Sequence, residues 1–172
     1  MELPLAGLAL ALLASQAPAP SPSPTPAPCA SAGHRQFDFW LGEWDVTTPD
    51  GKPAGHNRIT AEFGGCALHE QWTSAKGNYT GSSFNAYRPG NGTWHQTWVD
   101  SSGLLLLLDG SFRDGRMVLE GEAPGRNGEL QRQRITWEKH PDGSVRQHWQ
   151  TSPDGGKTWT TAFDGTYRKA GK

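Results

Sequence analysis

The chain has 172 residues, 16 basic and 17 acidic side chains, and a formal net charge of −1 at neutral pH. That length holds one domain with tails, and the even charge balance excludes the basic patch of a nucleic-acid binder and the polybasic cluster of a membrane-surface anchor. Eight Trp beside 22 Gly point to an all-β chain, since Trp fills cores and stacks on ligands while Gly at that density means many turns between short strands.

Residues 1–17 read as a secretory signal peptide. Leu5, Leu8, Leu10, Leu12 and Leu13 form an apolar run too short to cross a bilayer, and Ser15-Gln16-Ala17 offers a small-x-small cleavage pattern. Residues 18–32 follow as a Pro-rich spacer, in which alternating prolines hold an extended polyproline chain and deny it a packed core. The expected destination is the periplasm or the exterior, without stable membrane insertion. Cys29 and Cys66 are the two cysteines of the chain, and in an oxidising compartment an even count pairs. A disulfide between them is therefore expected. With no Cys-x-x-Cys, a thioredoxin-like role is disfavoured.

Residues 33–172 are expected to form a single domain. The aromatic cluster Phe37-Asp38-Phe39-Trp40-Leu41-Gly42-Glu43-Trp44 leads into it. Phe37, Trp40 and Leu41 fall at helical spacing and predict a short turn that plugs one end of a barrel. Period-two runs then alternate with Gly, Pro, Asn and Asp. They predict strands over 44–48, 56–63, 66–74, 79–87, 93–100, 104–112, 116–123, 129–140, 144–152 and 158–168. The Asp-Gly and Asn-Gly turns suit the positive φ of hairpins, and no amphipathic helix offers a parallel crossover. Ten hairpin-linked strands lose their free edges by closing into an antiparallel up-and-down barrel. A two-sheet sandwich is the alternative, with 124–128 as its one candidate crossover. Leu104 to Leu108 reads as a strand buried on both faces, covered outside by the plug or by a second subunit.

Alternation assigns the faces. Leu68, Glu70 and Trp72 share one side of their strand, as do Ser83, Asn85 and Tyr87; Trp94, Gln96 and Trp98; Gln133, Ile135 and Trp137; and Val145, Gln147 and Trp149. The aromatic side is the expected interior. It then also carries Glu70, Asn85, Gln96, Gln133 and Gln147, which a plain core would not choose because an unpartnered buried polar group costs several kcal/mol. Either a luminal cavity takes them, with aromatic walls and a few convergent polar groups, or they sit near the barrel mouths. On the first reading the ligand-binding residues are Glu70, Trp72, Asn85, Tyr87, Gln96, Trp98, Trp137, Gln147 and Trp149, and the partner is a small hydrophobic or amphipathic molecule.

Gly42-Glu43-Trp44 resembles the Gly-x-Trp that opens the first strand of lipocalin-like (calycin) barrels. The resemblance implies that Trp44 packs under an Arg from near the end of the barrel, here Arg168 in Gly165-Thr166-Tyr167-Arg168. Phe39 to Trp44 also resembles the opening of nitrobindin-like barrels and of exported bacterial families of unknown function. Nitrobindin-like barrels bind haem through a strand His. The candidates are His95 and His148, and both fall on the outward face by alternation, so haem is disfavoured and the sequence names no other cofactor. Ser152-Pro153-Asp154-Gly155-Gly156-Lys157-Thr158-Trp159 matches the Asp-box of sialidase-like propellers. One copy makes no propeller, so it is read as a structural hairpin.

An enzymatic alternative, a hydrolase or isomerase, rests on Glu70. Desolvation would raise its pKa as a general acid requires, and Asp100 at a strand end is the candidate to pair with it. The plainer expectation for Glu70 is a hydrogen bond to a Gln or Tyr. No P-loop, nucleophile elbow or zinc-protease motif is present, and no His/Cys/Asp spacing signals a metal. A third reading is a filled barrel that acts as a structural or interaction module without a ligand.

Overall fold

The computed structural model describes residues 27–125 and 127–171, so the expected signal peptide and most of the spacer lie outside the described residues. The chain enters through α1 (Ala32–Arg35) and one 3-10 turn (Asp38–Trp40). Ten strands follow: β1 (Gly42–Thr47), β2 (Pro53–Glu62), β3 (Ala67–Ser74), β4 (Thr80–Arg88), β5 (Thr93–Asp100), β6 (Leu105–Arg113), β7 (Arg116–Pro124), β8 (Leu130–Lys139), β9 (Val145–Ser152) and β10 (Thr160–Lys169). Each pairs antiparallel with the next, and β1 closes on β10 with Trp44 opposite Lys169 and Val46 opposite Tyr167. The order round the barrel is thus the order of the chain. This is the closed up-and-down barrel that a calycin-like resemblance implies, and the 124–128 segment joins two paired neighbours rather than crossing between sheets. The largest departure from the expected strand limits is at β2, which begins at Pro53 rather than at 56. Proline is tolerated at the first residue of a strand, and the register with β1 shifts there through an irregularity between Val46 and Thr47.

The strands run up and down, so the two ends of the barrel differ. The turns after β2, β4, β6 and β8 lie at the end where α1 and the 3-10 turn pack; the turns after β1, β3, β5, β7 and β9 surround the opposite mouth. At the first end Phe37 and Trp40 are fully buried. Their rings stack at 4.9 Å, and Phe37 also meets the edges of Trp94 and Trp137 at 5.7 and 5.2 Å. Gln36 accepts a hydrogen bond from Trp94 Nε1 (3.2 Å). Burying an aromatic ring in this way contributes about 2–3 kcal/mol. The expected plug is therefore present. A disulfide joins Cys29, just ahead of α1, to Cys66 in the β2–β3 turn, and Arg35 donates to the Gly65 carbonyl beside it.

Two expectations are corrected. Within the single chain the leucine run is buried on one side only, so the plug does not cover its outer face: Leu106 and Leu108 are 2% and 0% exposed, whereas Leu105 and Leu107 are 49% and 52% exposed. The pleat continues through the run, and the plug occupies the lumen rather than the outer face. The residue capping Trp44 is Lys169, not Arg168. Lys169 lies opposite Trp44 in the register, so its Nζ reaches 3.6 Å from the ring centre and donates to the Leu41 carbonyl. Arg168, one residue earlier, points outward to Asp142 (3.1 Å). The Gly of Gly-Glu-Trp has its reason here. Gly42 has φ +120°, and a Cβ on it would overlap Lys169 Nζ, so a side chain would displace the cation from the indole.

The β9–β10 turn is the structural hairpin expected of its motif. Asp154 accepts from Ser152 Oγ (2.8 Å), Lys157 N (3.0 Å) and Thr158 N (2.9 Å). Hydrogen bonds from Thr158 and Ser152 hold its carboxyl down at about 2. Trp159 donates to the Gly156 carbonyl and lies under Arg134, whose guanidinium is 3.7 Å from the ring centre.

Candidate functional site

The plug fills one end of the barrel, and a cavity of about 310 Å³ occupies the other. Its lining is set by a sequence pattern. On β3, β5 and β9, which all run from plug to mouth, a polar residue is followed two positions later by Trp: Glu70 and Trp72, Gln96 and Trp98, Gln147 and Trp149. Period-two spacing puts both members inside, and strand direction puts the polar member deeper. The result is a floor of Glu70, Gln96, Gln147 and Tyr167 beneath walls of Trp72, Trp98, Trp149, Phe163, Leu106 and Ile135. Ser74, Tyr79 and Ala162 stand at the rim. Close approach is needed to lay the Trp98 ring across the neighbouring strand. On β4 this is met by Gly81, where a Cβ would overlap the Trp98 ring.

The floor is a continuous hydrogen-bond network spanning six strands. Gln96 Nε2 donates to Asn85 Oδ1 (2.9 Å), Asn85 Nδ2 to Ser83 Oγ (2.9 Å), and Ser83 Oγ to Glu70 Oε2 (2.6 Å). From the other side Asn57 Nδ2 donates to Glu70 Oε1 (2.7 Å) and to the Tyr167 hydroxyl (3.3 Å), which in turn donates to Gln147 Oε1. Donors from both directions thus converge on Glu70, which is 3% exposed. Burial pushes its carboxyl up to about 7, against the opposing effect of the hydrogen bonds from Ser83 and Asn57. Burial and the charge of Glu70 also push the Tyr167 phenol well above its ordinary value.

Six of the nine residues expected at the site line this cavity: Glu70, Trp72, Gln96, Trp98, Gln147 and Trp149. Three do not. Asn85 is fully buried in the network beneath the floor. Tyr87 lies at the plug against His34 and Trp94, with ring centres 5.0 and 5.8 Å away. Trp137 packs on Phe37 and Trp40. The reason is shared: β4 and β8 run from mouth to plug, so their later inward residues lie deep, and alternation reports a side chain's face but not its depth. Asn57, Ser83, Tyr167 and Phe163 were not anticipated as site residues. Ser83 already sat on the inward face with Asn85, and Tyr167 two residues beyond Gly165 carried the same period-two signal. Asn57 had none beyond its place in a strand.

Glu70 bonds Asn57 and Ser83 rather than a Gln or Tyr. Asp100 does not pair with Glu70 either. It accepts from Tyr79 OH (2.7 Å), Trp98 Nε1 (3.1 Å) and Ser102 Oγ (2.6 Å), and so fixes the rim. Gln133 accepts from Trp149 Nε1 (2.8 Å) and orients that wall. A wider cleft of about 1350 Å³ shares Trp149 and Ala162 with the mouth and reaches outward past Pro124 to Leu105 and Leu107. His95 and His148 lie on the outer face, bonded to Asp109 (2.9 Å) and Thr161 (3.0 Å). Neither is placed to ligate a haem in the lumen. Among the described residues, no three His, Cys, Asp or Glu side chains are grouped to hold a metal ion. No protein-family model matches the chain, and no curated protein is significantly similar to it.

Proposed function

We propose that the protein is an exported binding protein that holds a small, partly apolar molecule in the barrel lumen. The observation that carries this reading is the division of the interior: one end is packed solid by the plug, while the other keeps about 310 Å³ between aromatic walls and a polar floor. That volume lies at the lower end of the roughly 300–1,000 Å³ of small-molecule sites, whose make-up of apolar walls with a few convergent polar groups it shares. The likeness of Gly42-Glu43-Trp44 to the opening of lipocalin-type barrels points the same way. Export is supported by the signal-like pattern of residues 1–17 and by the Cys29–Cys66 bridge, since disulfides persist chiefly in oxidising compartments.

Native mass spectrometry of the mature protein, purified from the compartment to which it is exported, tests the reading. A small additional mass is expected on the wild type and not on Ile135→Trp, which fills the lumen while keeping the barrel's circular dichroism. A bare polypeptide mass from the wild type, with tryptophan fluorescence unmoved by any member of a small-molecule panel, would contradict it.

A further inference from the structure

Resting on the reading of the lumen as a ligand site, we propose that the occupant is an organic cation: an ammonium on an aromatic or short alkyl frame, its nitrogen on Glu70 and its carbons between Trp72, Trp98 and Trp149. The cavity is charged on one side only. Glu70 is 3% exposed and sits on the lining, yet no Lys, Arg or His lines the cavity and no ion pair among the described residues includes Glu70. A second carboxylate, Asp100, lies behind the rim without lining the cavity and accepts hydrogen bonds from Tyr79, Trp98 and Ser102.

A buried carboxylate without a counter-charge is costly, and the cost is relieved by a proton or by a cation. The two neutral donors, Asn57 and Ser83, satisfy one site on each carboxylate oxygen and leave acceptor capacity toward the lumen, because each oxygen carries two lone pairs. An ammonium fills that capacity and neutralises the charge. A hydroxyl fills it without neutralising the charge, and an anion adds to the repulsion. The walls agree, because aromatic faces attract cations and desolvation strengthens the attraction.

The pH dependence follows from the groups that face Glu70. Asn57 on β2, Ser83 on β4, Gln96 on β5 and Gln147 on β9 do not titrate. Burial first holds the phenols of Tyr167 on β10 and Tyr79 at the rim above their ordinary range, with the charge of Glu70 adding at Tyr167 and the hydrogen bond to Asp100, then its charge, adding at Tyr79. Partial burial raises the Asp100 carboxyl, but the hydrogen bonds from Ser102, Tyr79 and Trp98 together outweigh it and hold the carboxyl below its ordinary value. Glu70, pushed up to about 7, is then the group that titrates in the lumen near neutrality. A cation binds its ionised form, so affinity falls about tenfold for each pH unit below 7.

Titration calorimetry with three probes of one shape tests this: 2-phenylethylammonium, 2-phenylethanol and 3-phenylpropionate, each at pH 5.5, 7 and 8.5. The ammonium is expected to bind at least tenfold more tightly than the alcohol at pH 8.5, with the gap closing at pH 5.5 and about half a proton released per site on binding at pH 7. The carboxylate is expected to bind most weakly at pH 8.5. Glu70→Gln, checked for folding by thermal melt, should bring ammonium and alcohol within about threefold of each other. An alcohol that binds as tightly as the ammonium, or a gap that ignores pH in the wild type, overturns the cation while leaving the luminal site standing. Failure of all three probes to bind at millimolar concentration overturns both.

Discussion

Glu70 is held where its charge is expensive. Burial raises its carboxyl from an ordinary 4.5 to about 7, so the native state holds the proton more tightly than the unfolded chain does. Its contribution to stability is therefore lost as pH rises from about 4.5 to about 7, and about 3 kcal/mol stays lost above that. Glu70→Gln, which cannot ionise, should be more stable than the wild type by about 1–3 kcal/mol at pH 8 and no more stable at pH 4.5. Urea unfolding at the two pH values checks both. A wild type whose stability climbs between pH 5 and 7 with the same slope as the variant would argue that the carboxyl is not desolvated. A second residue-scale test separates the two candidates for capping Trp44. Lys169→Ala removes the cation over the indole and should cost about 1 kcal/mol. Arg168→Ala removes an exposed ion pair and should cost less than about 0.5 kcal/mol. The sequence made the face of each of these residues legible, but the partner of Trp44 depended on a one-residue register between strands more than a hundred residues apart. Only pairing resolves that.

Among the elements, the plug and the plug-to-mouth strands β3, β5 and β9 divide the interior between them. The aromatic spacing of Phe37, Trp40 and Leu41 announced a turn in the sequence, and the barrel ends it could close were equally open until the strands gave it a direction. Trp40 carries much of the packing there: it is fully buried, stacked on Phe37 and 5.3 Å from the Trp137 ring. Trp40→Ala should cost about 3–5 kcal/mol by denaturant unfolding; a loss under 1 kcal/mol would mean that the plug is not part of the core. Direction also explains the misplaced wall residues. Trp137 and Trp149 look alike in sequence, each in a strand with a Gln on the same face. Yet β8 carries its Trp toward the plug and β9 carries its Trp toward the mouth. The leucine run failed for a different reason. Five consecutive leucines hide the alternation, because the composition gives no polar partner by which to read the pleat, and the backbone follows the pleat regardless.

For the molecule as a whole, closure was legible because the predicted connections were short and hairpin-like; 124–128 was the one candidate crossover, and the pairing of β7 with β8 makes it a hairpin as well. The cavity was legible only as a surplus of amides and a carboxylate on the aromatic face. Its size and its confinement to one end needed the plug. The Cys29–Cys66 bridge closes a segment with a sequence separation of 37, worth about 4 kcal/mol in the chain-entropy account. The doubly substituted Cys29→Ser, Cys66→Ser protein should unfold at lower denaturant by up to that amount. The bridge lies at the plug end, so the same variant should still bind whatever the wild type binds. Binding lost in a variant that remains folded would place the lumen under control of the plug.

The most direct test of the luminal site is a crystal structure of the protein grown with saturating 2-phenylethylammonium at pH 8. The account predicts difference density between Trp72, Trp98 and Trp149, with the nitrogen at hydrogen-bonding distance from Glu70. A lumen holding ordered water alone, or a ligand seated outside against Leu105 and Leu107, would contradict it.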